Sequence, residues 1–169
     1  MGWNGAQQAA QMSARQPLNA FGCFSYALWP GNRVRLHFRN AEPPGVSPLN
    51  TSCLSARLAE IKALFSTLKT GIGETASVVG GSWLYHLPAY RRLFPPGYLA
   101  SAQPSYEDFP YLALWGQFLD RDQKVRPNHA ALFRHNLARS VSLAQAKNAF
   151  PFPLLRLEGA ISEFYQYYS

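Results

Sequence analysis

The sequence predicts a single α/β (or α+β) domain, with helices packed on a mixed central sheet of about five to seven strands. Some short segments alternate apolar and polar residues, others repeat apolar residues every three or four positions, and the two kinds alternate along the chain. The 169 residues fit one domain of ordinary size. We expect residues 21–169 to form this domain, after a weakly ordered lead-in over residues 1–20 that is polar and small.

The clearest predicted strands form a hairpin over residues 21–38. A β-prone run precedes the turn residues Pro30-Gly31-Asn32, and apolar residues alternate again after the turn. On the return strand, the two-residue period places the basic side chains on one face. That face consists of Arg33, Arg35, His37 and Arg39.

The strongest helical pattern runs from Cys53 to Leu68. Its apolar face consists of Leu54, Leu58, Ile61, Leu64 or Phe65, and Leu68, whereas Arg57 is expected to lie largely elsewhere. Ser47-Pro48 or Ser52 can cap the start of the helix, and Gly71 or Gly73 ends it. The pattern predicts an amphipathic helix that lies on the sheet.

The second half of the chain continues the alternation of strands and helices. Gly80-Gly81 interrupts the first of its strands, which indicates a bulge or a close backbone approach. The predicted elements are a strand over 77–85, a short helix over 88–94, a strand over 111–119, a turn at 120–123 with a brief return strand, a long helix over 127–147, a strand over 153–157 and an aromatic helix over 159–168.

The charge of the chain is basic but dispersed. Sixteen Lys and Arg residues stand against nine Asp and Glu residues, a formal net charge of +7. Such an excess serves solubility, an anionic small ligand or nucleic acid. Because no nucleic-acid-binding module is recognisable and acidic residues are interspersed, the sequence disfavours a nucleic-acid partner.

Cysteine usage and hydropathy indicate the compartment. Cys23 and Cys53 allow one bridge and no disulfide framework, and neither has a metal-ligating partner at short spacing, so we expect buried thiols and no metal. The first residues lack the pattern of a secretory signal, which makes the cytoplasm the expected location. No apolar run approaches the roughly 18 residues of a membrane span.

Six residues are candidates for binding an anionic ligand. Arg35 and His37 lie on the basic strand face, where mutual repulsion favours a solvated surface or a bound anion. Ser82 follows Gly80-Gly81 at a junction of strand and helix, where amide groups face outward. His86 can serve as a base near a cleft or as a hydrogen-bonded boundary residue. Arg91 and Arg92 can clamp a phosphate or carboxylate, or form solvated helix surface.

Several common kinds of site are excluded by spacing. Leu84 stands where a nucleophile elbow around Ser82 requires glycine. No glycine-rich phosphate loop is present, which argues against nucleotide hydrolysis and Rossmann-type redox chemistry. His129 and His135 are six positions apart on a predicted helix and so cannot share a metal, and Asp120 and Asp122 are typical of a turn.

One stretch of the chain resembles the GNAT-like acyltransferase domains of uncharacterised bacterial proteins. The resemblance covers roughly residues 33–120 and lies in the strand Val34-Arg35-Leu36-His37-Phe38, the helix from Cys53 to Leu68, and Gly81-Ser82-Trp83-Leu84 before the next helix. It implies an acyltransferase-related site. In such domains a Gln/Arg-x-x-Gly-x-Gly/Ala turn cradles the pyrophosphate of acyl-CoA. Because this chain has Arg39 to Gly45 there instead, no cofactor is predicted with certainty, and no catalytic residue carries over.

The sequence therefore leaves two functions open. The first is a site for an anionic small molecule between the Arg35 and His37 face and the segment from Ser82 to His86. The second is a non-catalytic module that binds a protein partner, or a second copy of the chain as a homodimer, through an aromatic C-terminal surface. That surface would be formed by Phe164, Tyr165, Tyr167 and Tyr168.

Overall fold

A mixed sheet forms the centre of the computed structural model, which describes residues 19–105, 112–120 and 122–169. The six described strands are β1 (Asn19–Phe21), β2 (Phe24–Trp29), β3 (Arg33–Phe38), β4 (Ser77–Ser82), β5 (Gln103–Ser105) and β6 (Leu154–Ala160), in the order β1-β2-β3-β4-β6-β5. The predicted α/β class with a mixed sheet is confirmed. Residues 1–18 of the predicted lead-in lie outside the described residues, whereas Asn19 and Ala20 belong to β1.

The one parallel pair among the described strands joins β3 to β4. Its register places Val34 beside Val78 and Arg35 beside Val79. A parallel pair requires a long crossover connection, and the helix α1 (Leu54–Gly71) supplies it. The other neighbours are antiparallel, including the β2–β3 hairpin with its turn at Gly31 and Asn32, as predicted.

The remaining helices are short. They are α2 (Pro88–Arg91), α3 (Pro96–Ala100), α4 (Pro127–Ala138), α5 (Leu143–Ala146) and α6 (Ile161–Tyr167). Single turns of 3₁₀ helix cover Thr51–Cys53, Trp83–His86 and Lys147–Ala149, and a longer one covers Leu112–Phe118. Proline at the first position of α2, α3 and α4 suits the start of a helix, because that N–H has no partner within the helix.

The main core lies on one face of the sheet, called here the helical face. Ile61, Leu64 and Phe65 of α1 pack there together with Val34 and Val78 of the strands. The aromatic residues that complete this core come from the segments after β4 and β6. They are Tyr85, Tyr90, Phe94, Tyr98, Phe164, Tyr165 and Tyr168.

A second, smaller core lies at the end of the sheet where β6 begins. Leu114, Phe118, Phe150 and Leu154 form it. Gln117 is fully buried beside it, and its amide bonds the backbone of Phe152 in both directions: Nε2 donates to the carbonyl oxygen at 3.2 Å, and Oε1 accepts from the N–H at 2.9 Å. These bonds hold residues 112–118 against the strand entry.

In the second half of the chain, one predicted strand and one predicted helix require correction, and one edge strand was not predicted. Residues 112–118 form a 3₁₀ helix and not a strand, because Leu114, Gln117 and Phe118 share a buried face at helical spacing; Tyr111 lies outside the described residues. The long helix ends at Ala138 instead of residue 147, and Val141 is 87% exposed. The edge strand β5, which contains Pro104, is too short and polar to show the strand pattern.

Arg57 is buried on α1, whereas the sequence predicted that it lies largely away from the apolar face of this helix. Its guanidinium donates to Glu42 and to Glu60, each at 2.7 Å, and contacts the Cys23 sulfur. Glu60 also accepts from the Cys23 amide at 3.0 Å. Burial raises the pKa of the Cys23 thiol. The cluster therefore ties α1 to the turn before β2 and to the loop after β3, so a charge occupies a position that apolar periodicity alone cannot assign.

The different depths of two leucines on α1 give a stability prediction. Leu64 is fully buried, whereas Leu58 is only partly buried. We expect Leu64→Ala to lower the free energy of unfolding by about 2–5 kcal/mol, because it leaves a cavity, and Leu58→Ala to cost clearly less. Urea unfolding measures both values, and equal losses would contradict the assigned orientation of α1.

The Arg57 cluster gives a second stability prediction. Arg57→Met fills the space but leaves two carboxylates without their cation, so we expect a loss of about 2–4 kcal/mol. The control is Lys62→Met on the exposed side of the same helix, which should change stability by less than about 0.5 kcal/mol. If urea unfolding showed the two variants to be equally stable, the cluster would not be holding α1 to the loops.

Candidate functional site

The second face of the sheet, called here the open face, carries a groove of about 440 Å³. Residues paired across strands point to the same side, so Arg33 and Arg35 share this face with Val79 and Glu158. The groove runs between the β2–β3 hairpin and β5 and is lined on its two sides by Trp29 and Gln103. In the described part of the chain, α1 and α6 both pack on the opposite, helical face.

The cationic wall of the groove is held in place by the hairpin. Trp29 stacks on Arg35, with the guanidinium carbon 4.3 Å from the ring centre, and lies 6.0 Å from that of Arg33. The Nε of Arg33 donates to the carbonyl oxygen of Pro30 at 2.9 Å. The N–H groups of a guanidinium lie in one plane, and stacking one face on a ring restricts its orientation, which suits a two-point hydrogen bond to a carboxylate or phosphate.

The far side of the groove is polar and carries both charges. Arg156 and Glu158 of β6 line it with Ser101 and Gln103. Glu158 accepts a hydrogen bond from the Ser77 hydroxyl, and its amide donates to Ser101 Oγ at 3.0 Å. The first bond holds the Glu158 carboxylate, and the second holds the backbone of β6 at the same residue.

Two adjacent glycines on β4 have opposite surroundings. A side chain at Gly80 would overlap the hydroxyl groups of Tyr85 and Tyr98 on the helical face, whereas a Cβ at Gly81 would meet nothing within 4 Å. The two hydroxyl groups hydrogen-bond to each other at 2.9 Å, and burial raises the pKa of both tyrosines. The absence of a side chain at Gly80 therefore leaves space for the two tyrosines in the core, and the absence of one at Gly81 leaves the floor of the groove flat.

The sequence-predicted residues of β3 lie on the open face. Arg35 lines the groove, as the predicted basic face requires. His37 lies further along β3, where it pairs with Ser25 of β2 outside the groove lining.

Ser82 and His86 lie on the chain segment that leaves β4, and each makes a local hydrogen bond. Ser82 Oγ accepts from the Leu84 amide at 3.1 Å and caps the following turn. His86 Nε2 lies 3.0 Å from the carbonyl oxygen of Pro153, and its ring stacks on Phe152. Neither residue lines the groove, so the structure does not bring them together with Arg35.

Arg91 and Arg92 lie on the helical side and bond the backbone. Arg91 Nη1 donates to the carbonyl oxygen of Tyr85 at 3.4 Å. Arg92 Nη2 donates to the carbonyl oxygens of Leu49 and Asn50, at 3.1 and 3.3 Å. The two guanidinium groups thus connect α2 to neighbouring segments and are separate from the groove.

Three residues of the groove were missed in the sequence. Trp29 faces Arg33 across the hairpin, and the predicted hairpin register could have placed it on the basic face. Arg156 and Glu158 alternate with buried residues on β6. Their pairing with β4 joins segments about 75 residues apart, which no local pattern reveals.

The remaining candidate groups are structural. In the described ranges no cluster of three or more His, Cys, Asp or Glu side chains is placed to hold a metal ion. The Asp120 carboxylate accepts hydrogen bonds from the amides of Asp122 and Lys124, at 2.8 and 2.9 Å, and these bonds lower its pKa. Phe164, Tyr165 and Tyr168 of the C-terminal segment are buried, and Tyr167 is 46% exposed.

The comparisons with known proteins add no relative. No protein-family model matches the chain, and no match was found among curated proteins or solved structures. Among the described residues, every helix is too short or too polar to cross a membrane. The fold and site thus define a domain in which the main core, with α1 and α6, lies on one face of a sheet and a groove lined by three arginines lies on the other.

The two adjacent glycines give a matched pair of variants. We expect Gly80→Ala to lower the free energy of unfolding by about 1–3 kcal/mol, because the added methyl group forces Tyr85 and Tyr98 apart. Gly81→Ala should change it by less than about 1 kcal/mol, since the methyl group enters open space. Thermal unfolding of both variants checks the assignment of the two faces, and a larger loss for Gly81→Ala would contradict it.

Proposed function

We propose that this chain is a ligand-binding domain that holds an anionic small molecule in the groove of the open face. The observation that carries the proposal is the convergence of Arg33, Arg35 and Arg156 on one cavity, with Glu158 as its one described carboxylate. Charge-assisted hydrogen bonds to guanidinium are among the stronger polar contacts, at about 1.5–3 kcal/mol each. The cavity volume is within the usual range of small-molecule sites.

The contact between Trp29 and Arg35 supports binding through pre-organisation. A long arginine side chain ordinarily loses rotamer freedom when it binds a ligand. Here the ring restricts that side chain beforehand, so less of the binding free energy is spent on ordering it. The flat floor at Gly81 then allows the ligand to approach the backbone of β4 closely.

Acyl transfer is the reaction class that the GNAT-like resemblance suggests for this site. An acyl-CoA is itself an anionic ligand, and it belongs among the compounds to be tested. The only parallel pair among the described strands, β3 and β4, is paired over Arg33 to Arg35 and not to the end of β3. Arg35, the last residue of β3 that pairs with β4, lines the groove.

The proposal predicts a thermal shift with anions. Citrate, inorganic phosphate and acetyl-CoA are added separately at constant ionic strength, and at least one should raise the melting temperature of the wild-type chain, since a ligand of the folded state stabilises it. Arg35→Ala should remove the shift, because it deletes one cation and frees Trp29.

Two further variants separate loss of the groove from loss of the fold. Gly81→Val fills the floor with a residue that strands favour, and it should stay folded without the shift. Arg134→Ala on the exposed side of α4 should keep the shift. Absence of any shift in the wild type, or its persistence in both groove variants, would refute the proposal.

The alternative function, a module that binds a protein partner or forms a homodimer, receives less support than the anionic ligand site. Of the four aromatic residues that suggested a C-terminal contact surface, three lie in the core, and Tyr165 donates to the carbonyl oxygen of Ile72 at 3.0 Å. The small-molecule reading is therefore the one that the described residues favour.

A further inference from the structure

We propose that the ligand of the groove carries two anionic groups at opposite ends of a short spacer, so that it bridges β3 and β6 across β4. This inference rests on the proposed function and narrows it to a chemical class, the dianions of small dicarboxylic or phosphorylated acids. The observation behind it is that the guanidinium groups come from two separate strands on either side of a neutral floor.

The strand register sets the separation of the two cationic ends. Arg35 pairs with Val79 and Val79 with Glu158, whereas Arg156 pairs with Gly81. Two strand spacings and a shift of two residues put the Cα atoms of Arg35 and Arg156 about 12 Å apart. Arg35 is stacked on Trp29 of β2, which lies on the side of β3 away from β6. We therefore infer that a compact ligand between the two cationic ends meets each guanidinium with a different anionic group.

The floor between the two ends fits an uncharged spacer. Val79 and Gly81 of β4 line it, and neither offers a charged side chain. A hydrocarbon spacer can cover this surface without leaving a polar group unpaired, which a chain of hydroxyl or amine groups would risk.

The position of Glu158 selects where the second anionic group lies. Its carboxylate faces the same row of the sheet as Arg35 and Val79, and Ser77 bonds it. At the β6 end of that row, beside Glu158, a second ligand carboxylate would be repelled, whereas one placed further along β6, towards Arg156 and Gln103, would meet a cation and an amide. The ligand therefore crosses the groove diagonally.

A guanidinium has five N–H donors, so contacts that Arg35 and Arg156 make within the protein do not exhaust their capacity for a ligand. A monoanion can satisfy one end of the groove only. A dianion of matching length engages both ends, and its second contact is intramolecular once the first has formed.

Calorimetric titration with a series of α,ω-dicarboxylates tests the inference. Succinate, glutarate, adipate, pimelate and suberate are compared with butyrate at constant ionic strength and pH 7. We expect an affinity maximum within the series, with the best dicarboxylate binding at least about 10-fold more tightly than butyrate, which is the effect of one added charge-assisted contact.

Single-residue variants show whether Arg156 binds the second anionic group of the ligand. Arg156→Ala should reduce the best dicarboxylate to the affinity of butyrate and remove the length dependence, while butyrate itself binds as before at Arg35. Arg139→Ala, exposed after α4, is the control and should leave the whole series unchanged. Circular dichroism of each variant confirms that it is folded.

The outcomes distinguish the two proposals. If no dicarboxylate, citrate, phosphate or acetyl-CoA binds the wild type, both the proposed function and this inference fail. If anions bind but affinity is independent of spacer length, or if Arg156→Ala leaves the length dependence intact, the bridging inference is overturned while the anionic site stands.

Discussion

The fold depends on the close approach of two buried tyrosines to a glycine in the central strand. Tyr85 and Tyr98 occupy the space that a side chain at Gly80 would need, and their hydroxyl groups bond each other. Around them pack Tyr90, Phe94 and Phe164, in rings whose centres lie 4.8 to 5.7 Å from those of their neighbours. Through this cluster the segment after β4 and the C-terminal helix are both held against one face of the sheet.

The same constraint explains why the groove lies where it does. The missing side chain of Gly80 leaves room for Tyr85 and Tyr98 on the helical face. Because successive residues of a strand point to opposite faces, Gly81 faces the other side and forms part of the uncovered floor. The two faces of β3 follow the same division, with Val34 and Leu36 buried and Arg33 and Arg35 towards the groove. A two-residue period in the backbone thus separates the residues that pack in the core from the residues that line the groove.

The sequence predicts local features well and long-range ones poorly. Alternation in the hairpin and the three- and four-residue spacing of α1 predict both elements, including the cationic face with Arg35. Arg57 could not be placed, because its burial depends on Glu42 and Cys23, which arrive from other segments. Only the part of the groove on β3 was predicted, because Arg156 reaches it through the pairing of β6 with β4. Ser82, at the end of β4, and His86 were predicted to belong to the site, but both hydrogen-bond to backbone groups instead.

The opposite orientation of neighbouring residues on β4 is the central claim, and cysteine labelling measures it directly. Val78→Cys and Val79→Cys are compared in a Cys53→Ser background, since Cys53 is partly exposed and Cys23 is fully buried. Val78 faces the core and Val79 lines the groove. With both variants folded by circular dichroism, maleimide should modify the thiol at position 79 rapidly and the thiol at position 78 at least about 100-fold more slowly, because reaction there requires opening of the core. Equal rates at the two positions, or faster reaction at position 78, would contradict the account.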